Sequence, residues 1–204
     1  MTTANKITIL RILLIPFFIV QVLYYIDSGG ENHRWLAFGT FVLAAVCDGV
    51  DGYIARRFNQ RSELGAILDP LADKLLLASA IVVLSFDNHP RLARIPLWLT
   101  ATILGRDVIV PMGIGVVHYT VGKVTVRPIL IGKAATVFQM VAVSWILLKW
   151  DERWLPVWFW GAGICTAISG LFYVWEGVRQ LSASPSSAAS PNQTATRSSQ
   201  EPPS

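Results

Sequence analysis

Six long apolar runs, separated by short polar or Gly/Pro-bearing turns such as DSGGENHR, DNHPR and KWDERW, leave this chain few folds to choose from. About 20 apolar residues cross a bilayer as a helix, and in lipid only a helix or a closed barrel satisfies every backbone polar group. Run lengths and turns predict an all-α integral membrane bundle with spans at 8–26, about 34–57, 66–86, 94–117, 131–149 and 154–178. Composition agrees: 53% of residues are hydrophobic, 15% are charged, and mean hydropathy is +0.49. The stretch VLYYIDSGG that follows the first run offers bulky residues where a signal peptidase needs small ones, so the run is read as a spanning helix, a signal anchor at most.

Six spans put both termini on one side. With the N-terminus inside, that side holds Lys6, Arg11, Arg56, Arg57, Arg61, Lys74, Lys123, Arg127, Lys133, Arg179 and Arg197, while the opposite loops hold Arg34, Arg91, Arg94, Lys149 and Arg153. The basic excess marks the first side as cytoplasmic. A formal net charge of +4 suits loops facing anionic lipid, and no basic tract interleaved with aromatics points to nucleic acid. Cys47 and Cys165 sit in apolar runs without metal-site spacing, so neither a disulfide nor a zinc site is expected. From about position 182 the composition turns to Ser, Pro, Ala, Thr and Gln, which predicts a membrane domain over 1–181 and a disordered tail over 182–204. No repeat of fixed period is present.

The stretch from Asp48 to Lys74, DGVDGYIARRFNQRSELGAILDPLADK, sets four aspartates and three arginines between two apolar runs, where charge is expensive unless it has a partner. Asp48 and Asp51 are three residues apart, Asp69 and Asp73 four apart, so on two helices each pair lies on one face. Two such faces turned together make a four-carboxylate pocket. Like charges that close raise one another's pKa; divalent cations resolve the conflict, and oxygen-only ligands favour Mg²⁺ or Mn²⁺. Gly52 and Gly65 leave room for a ligand near backbone, and Arg56 is placed to pair with a phosphate. The plainer reading is a set of helix caps and surface pairs, with Asp69 capping a helix that Pro70 begins; it leaves three carboxylates without a purpose.

The pattern DxxDGxxAR, eight residues, then GxxxDxxxD resembles the signature of the CDP-alcohol phosphatidyltransferases. Here it reads Asp48, Asp51, Gly52, Ala55, Arg56, Gly65, Asp69 and Asp73, with every element at its spacing. The resemblance implies transfer of a phosphatidyl group from CDP-diacylglycerol to an alcohol with release of CMP. It also implies Asp48, Asp51 and Asp69 as metal ligands, Asp73 as general base and as a contact to a second metal, and Gly52, Arg56 and Ser62 at the cytidine diphosphate. Family members often form homodimers, and the implied setting is the cell inner membrane with the active site facing the cytoplasm.

Within the family, NKITILRILLIPFF and DGYIARRFNQ…LGAILDPLADKLL most resemble the bacterial phosphatidylglycerophosphate synthases, whose acceptor is sn-glycerol 3-phosphate. Such an acceptor needs cations, and Lys133 is the first candidate, Arg106 the second, with Arg127 and Lys123 also available. One departure keeps the acceptor open. Arg106-Asp107 stands where the glycerophosphate enzymes commonly have Arg-Glu, and resembles the related cardiolipin synthases, which use phosphatidylglycerol.

Several residues carry two readings. Arg57 and Arg61 suit lipid headgroups better than substrate; Ser62 serves equally as the N-cap of the third span. Adjacent on a helix, Arg106 and Asp107 point in different directions, so one of them can pair with another span. Asn5 and Thr8 either bond the active-site helix or merely start the first span. His33, His89 and His118 fit loop or interface roles. A cation-binding transporter is the alternative from another class, disfavoured by the paired glycines, by Arg56 and by the lack of an inverted repeat.

Overall fold

The computed structural model describes the backbone of residues 3–58, 63–86, 91–121 and 130–182, and the side chains at those positions except 3–7, 48–58, 63–71, 73, 116–118, 120, 121 and 180–182. Six helices make up the described chain: α1 Thr3–Ser28, α2 Glu31–Phe58, α3 Glu63–Ser85, α4 Leu97–Val121, α5 Leu130–Leu147 and α6 Leu155–Ser182, with a 3₁₀ turn at Glu152–Trp154 before α6. Each corresponds to one predicted span. Pro16 and Pro111 lie inside α1 and α4 without ending them, as neighbouring helices in a membrane bundle allow. The expected tail, 182–204, lies outside the described residues apart from its first position.

Among the described residues, Thr8–Ser28, Leu97–Gly115, Leu130–Leu147 and Glu152–Arg179 are long and apolar enough to cross a membrane, and Lys74–Ser85 is a shorter apolar helical stretch. The other two helices, α2 and α3, continue through 48–58 and 63–71, whose side chains are not among those described.

Packing follows a three-and-four residue rhythm. The buried face of α1 runs Thr8, Arg11, Ile15, Phe18, Val22, Tyr25; α2 contributes Ala37, Phe41 and Ala44, and α3 contributes Leu76, Ala80 and Val83. That spacing is the seam of helices packed lengthwise. α1 packs on both α2 and α3, and Phe18 meets Phe41 with ring centroids 5.8 Å apart.

At the end of the bundle away from the chain termini, arginines close the helices that finish there. Arg91 Nη1 donates to the carbonyls of Tyr25 (3.2 Å) and Ile26 at the end of α1. Arg94 Nε donates to Ser85 O at the end of α3 (2.8 Å), and Arg34 Nη1 to Leu147 O at the end of α5 (2.8 Å). Each guanidinium thus sits at the negative end of a helix dipole and bonds carbonyls of the last turn. Gly29, at φ 73°, turns α1 into α2, and a Cβ there would stand 3.2 Å from Arg91 Cζ. The Arg34 guanidinium also bonds Glu31 (2.6 Å) and holds that carboxyl below its usual range. His33, in the first turn of α2, takes the interface role, bonding Gln21 of α1 at 2.7 Å.

α6 lies against α4 and α5 because glycines let rings approach its backbone: a Cβ on Gly163 would stand 2.6 Å from the Trp98 ring, and one on Gly161 2.8 Å from Phe138. Small residues at membrane helix interfaces have this effect. Gln139 Nε2 donates to Thr166 Oγ1 across the buried α5–α6 interface (3.2 Å).

α5 ends in a Schellman motif, with Trp150 N donating to Trp145 O and Lys149 N to Ile146 O, which forces Lys149 to φ 54°. A side chain in that region costs about 1–2 kcal/mol. Lys149→Gly is therefore expected to stabilise the protein by about 1 kcal/mol, raising the thermal midpoint by about 2–4 °C; an unchanged or lower midpoint in detergent would contradict this account.

Candidate active site

The acidic residues continue the seams just described. On α2 the buried positions 37, 41 and 44 lead by steps of four and three to 48 and 51; on α3 the positions 83, 80 and 76 lead back to 73 and 69. Asp48, Asp51, Asp69 and Asp73 thus occupy register positions on the faces their helices turn to the bundle interior. Their side chains are not among those described. α3 begins at Glu63, so Asp69 stands in its second turn and is not the helix cap that Pro70 suggested. Gly52 and Arg56 fall in the last turns of α2, with the Arg56 side chain outside those described; Ser62 and Arg127 lie outside the described residues, as does His89.

The neighbouring cations are described in detail. Arg106 Nη1 donates to Asp107 Oδ1 at 2.8 Å, and Lys74 Nζ on α3 stands 3.8 Å from the same oxygen. Asp107 therefore ties α4 to the turn of α3 that contains Asp73. The expectation that Arg106 and Asp107 point apart holds only for their Cβ atoms; the Arg106 stem is long enough to fold its guanidinium back onto its neighbour. That stem runs over Gly170 of α6, where a Cβ would stand 3.4 Å from Arg106 Cγ, and its Nη2 lies 3.0 Å from where a Cβ on Gly132 would be. Two glycines make this channel; a side chain at 132 would meet the guanidinium. Lys133 follows Gly132 and is exposed, so both leading acceptor candidates stand at one level of the bundle. Arg106 is mostly buried, with 18% of its side chain exposed, and its Nε has no hydrogen-bond partner among the described residues.

Lys74 and Gly170 were not singled out from sequence. An acidic residue inside an apolar run, as Asp107 is, signals that a cation must come from another helix; which one depends on packing.

The family model for CDP-alcohol phosphatidyltransferase matches residues 1–175. The chain belongs to that family. This CDP-alcohol phosphatidyltransferase is 34% identical over 182 residues to the Escherichia coli K12 protein named CDP-diacylglycerol–glycerol-3-phosphate 3-phosphatidyltransferase, covering 87% of this chain and 91% of that one. The Shigella sonnei protein of the same name matches equally, and that of Salmonella paratyphi A is 33% identical over 179 residues with the same coverage. The resemblance read from the signature is thereby established for most of the chain. With its apolar helices, the phosphatidyltransferase is a multi-pass membrane protein.

Proposed function

We propose that this enzyme transfers the phosphatidyl group of CDP-diacylglycerol to sn-glycerol 3-phosphate, giving phosphatidylglycerophosphate and CMP, at a site open to the cytoplasm. The observation that carries the acceptor assignment is the Lys74–Asp107 contact, which brings Arg106 to the level of Asp73. A phosphorylated alcohol held there by Arg106 and Lys133 presents its hydroxyl toward the carboxylates. Likeness to relatives named for this reaction supports the same choice.

In this reading Asp48, Asp51, Asp69 and Asp73 hold Mg²⁺ or Mn²⁺. Four carboxylates with no nitrogen or sulfur suit a hard divalent ion, and positions on two interior-facing seams suit a shared site. When bound, such ions neutralise charge on the pyrophosphate and on departing CMP. Gly52, Arg56 and Ser62 orient the cytidine diphosphate. Asp73 takes the proton of the acceptor hydroxyl as its oxygen attacks the phosphorus bearing the diacylglycerol; the bond from that phosphorus to CMP breaks, and the proton passes to water.

The test offers purified protein CDP-diacylglycerol with labelled glycerol 3-phosphate or with phosphatidylglycerol. Phosphatidylglycerophosphate is the expected product. Cardiolipin would transfer the assignment to the reading that Arg106-Asp107 suggested, and cation flux without CMP release would favour a transporter. Chelating divalent ions with EDTA is expected to reduce CMP release to background, and Mg²⁺ or Mn²⁺ to restore it; turnover that persists in EDTA would remove the metal from the scheme.

A further inference from the structure

Arg11 interrupts the first apolar run, and the reaction just described makes no use of it. Its side chain is wholly buried, at 0% exposure, as is that of Thr8 one turn earlier. A guanidinium cannot shed its proton to escape burial. It therefore needs an opposite charge close by.

The α1–α2 hairpin indicates which one. Phe18 and Phe41 are in contact, the two helices run antiparallel, and both rise by the same amount per residue. Seven residues back from Phe18 is Arg11; seven onward from Phe41 is Asp48. The two stand at one level on facing seams, with Thr8 and Asp51 a turn further on. Other acids are poor candidates. Asp27 and Glu31 belong to the opposite end of the hairpin, roughly 24 Å away for Asp27, and Asp107 already faces Arg106 and Lys74. Asp69 and Asp73 lie on α3, whereas the register of the hairpin selects Asp48.

We propose that Arg11 is the fixed counter-charge of the acidic stretch, a positioning residue that pairs with Asp48 and holds it in place while no metal is bound. This rests on the reading of those aspartates as a metal site. Arginine and divalent cation then relieve the same repulsion, so loss of one raises the protein's dependence on the other.

The experiment measures thermal unfolding of the purified full-length protein in detergent, in EDTA and in saturating MnCl₂ without lipid substrate. In EDTA, Arg11→Met is expected to lower the midpoint by about 10 °C. Mn²⁺ should recover most of that loss, a larger gain than wild type shows, and Arg11→Lys should stay near wild type. Asp48→Asn combined with Arg11→Met should be more stable in EDTA than Arg11→Met alone, the mark of a broken charge pair. Equal loss with and without Mn²⁺, together with no rescue by Asp48→Asn, would overturn the proposal and leave Arg11 a packing residue. If wild type itself gains nothing from Mn²⁺, the metal reading fails, and the rescue in EDTA still decides the pairing. Should Arg11→Met yield no folded protein, recovery in the double variant supports the pair, and its absence while Arg11→Lys folds overturns it.

Discussion

Asp73→Asn is expected to lower the rate of CMP release by roughly 10²–10⁴-fold while CDP-diacylglycerol still binds. Asparagine keeps the volume and a carbonyl oxygen but cannot take a proton from the acceptor hydroxyl. The backbone that presents Asp73 is held on both sides, since Ala72 is fully buried and Lys74 faces Asp107 across the α3–α4 interface. Substitution at 73 should therefore change chemistry far more than position. Single-turnover CMP release beside equilibrium binding of labelled CDP-diacylglycerol separates the two effects. Undiminished release would remove Asp73 as the base, and lost binding would make it chiefly a ligand or a structural residue.

Arg106→Met is expected to raise KM for glycerol 3-phosphate by roughly 10–100-fold, the worth of one or two charged hydrogen bonds to phosphate, with KM for CDP-diacylglycerol nearly unchanged. Folding should survive because Lys74 remains near Asp107, and methionine fills the channel over Gly132 and Gly170. Lys133→Met should act in the same direction but less, because an exposed lysine is well solvated and its contacts are screened. Equal effects on both substrates would show that Arg106 shapes the whole site and does not read the acceptor phosphate.

All six helices were legible because run length and turn composition are local signals that membrane burial enforces. Boundaries slipped where helices outrun their apolar stretch: α1 starts at Thr3, in the polar residues ahead of the first predicted span, and α3 starts at Glu63, turning Asp69 from a cap into an interior position. The signature aspartates were legible from their spacing. The far-end arginines were counted only as loop charge, although Arg34, Arg91 and Arg94 each bind the last carbonyls of a helix. Such caps depend on which helix end arrives beside which loop. The return of Arg106 onto Asp107 was missed for a related reason: helical periodicity fixes where a side chain leaves the backbone, not where a long stem finishes.

The three seams change character partway along. Beyond Arg11, Asp48 and Asp73 they become Ile15, Phe18, Phe41, Ala44, Leu76 and Ala80, all buried. A cation arriving at the carboxylates from the chain-terminus end would meet a greasy floor and have to leave the way it entered. In the proposed reading, soluble reactants would therefore load and discharge from one side, and the ion gradients across the membrane stay intact.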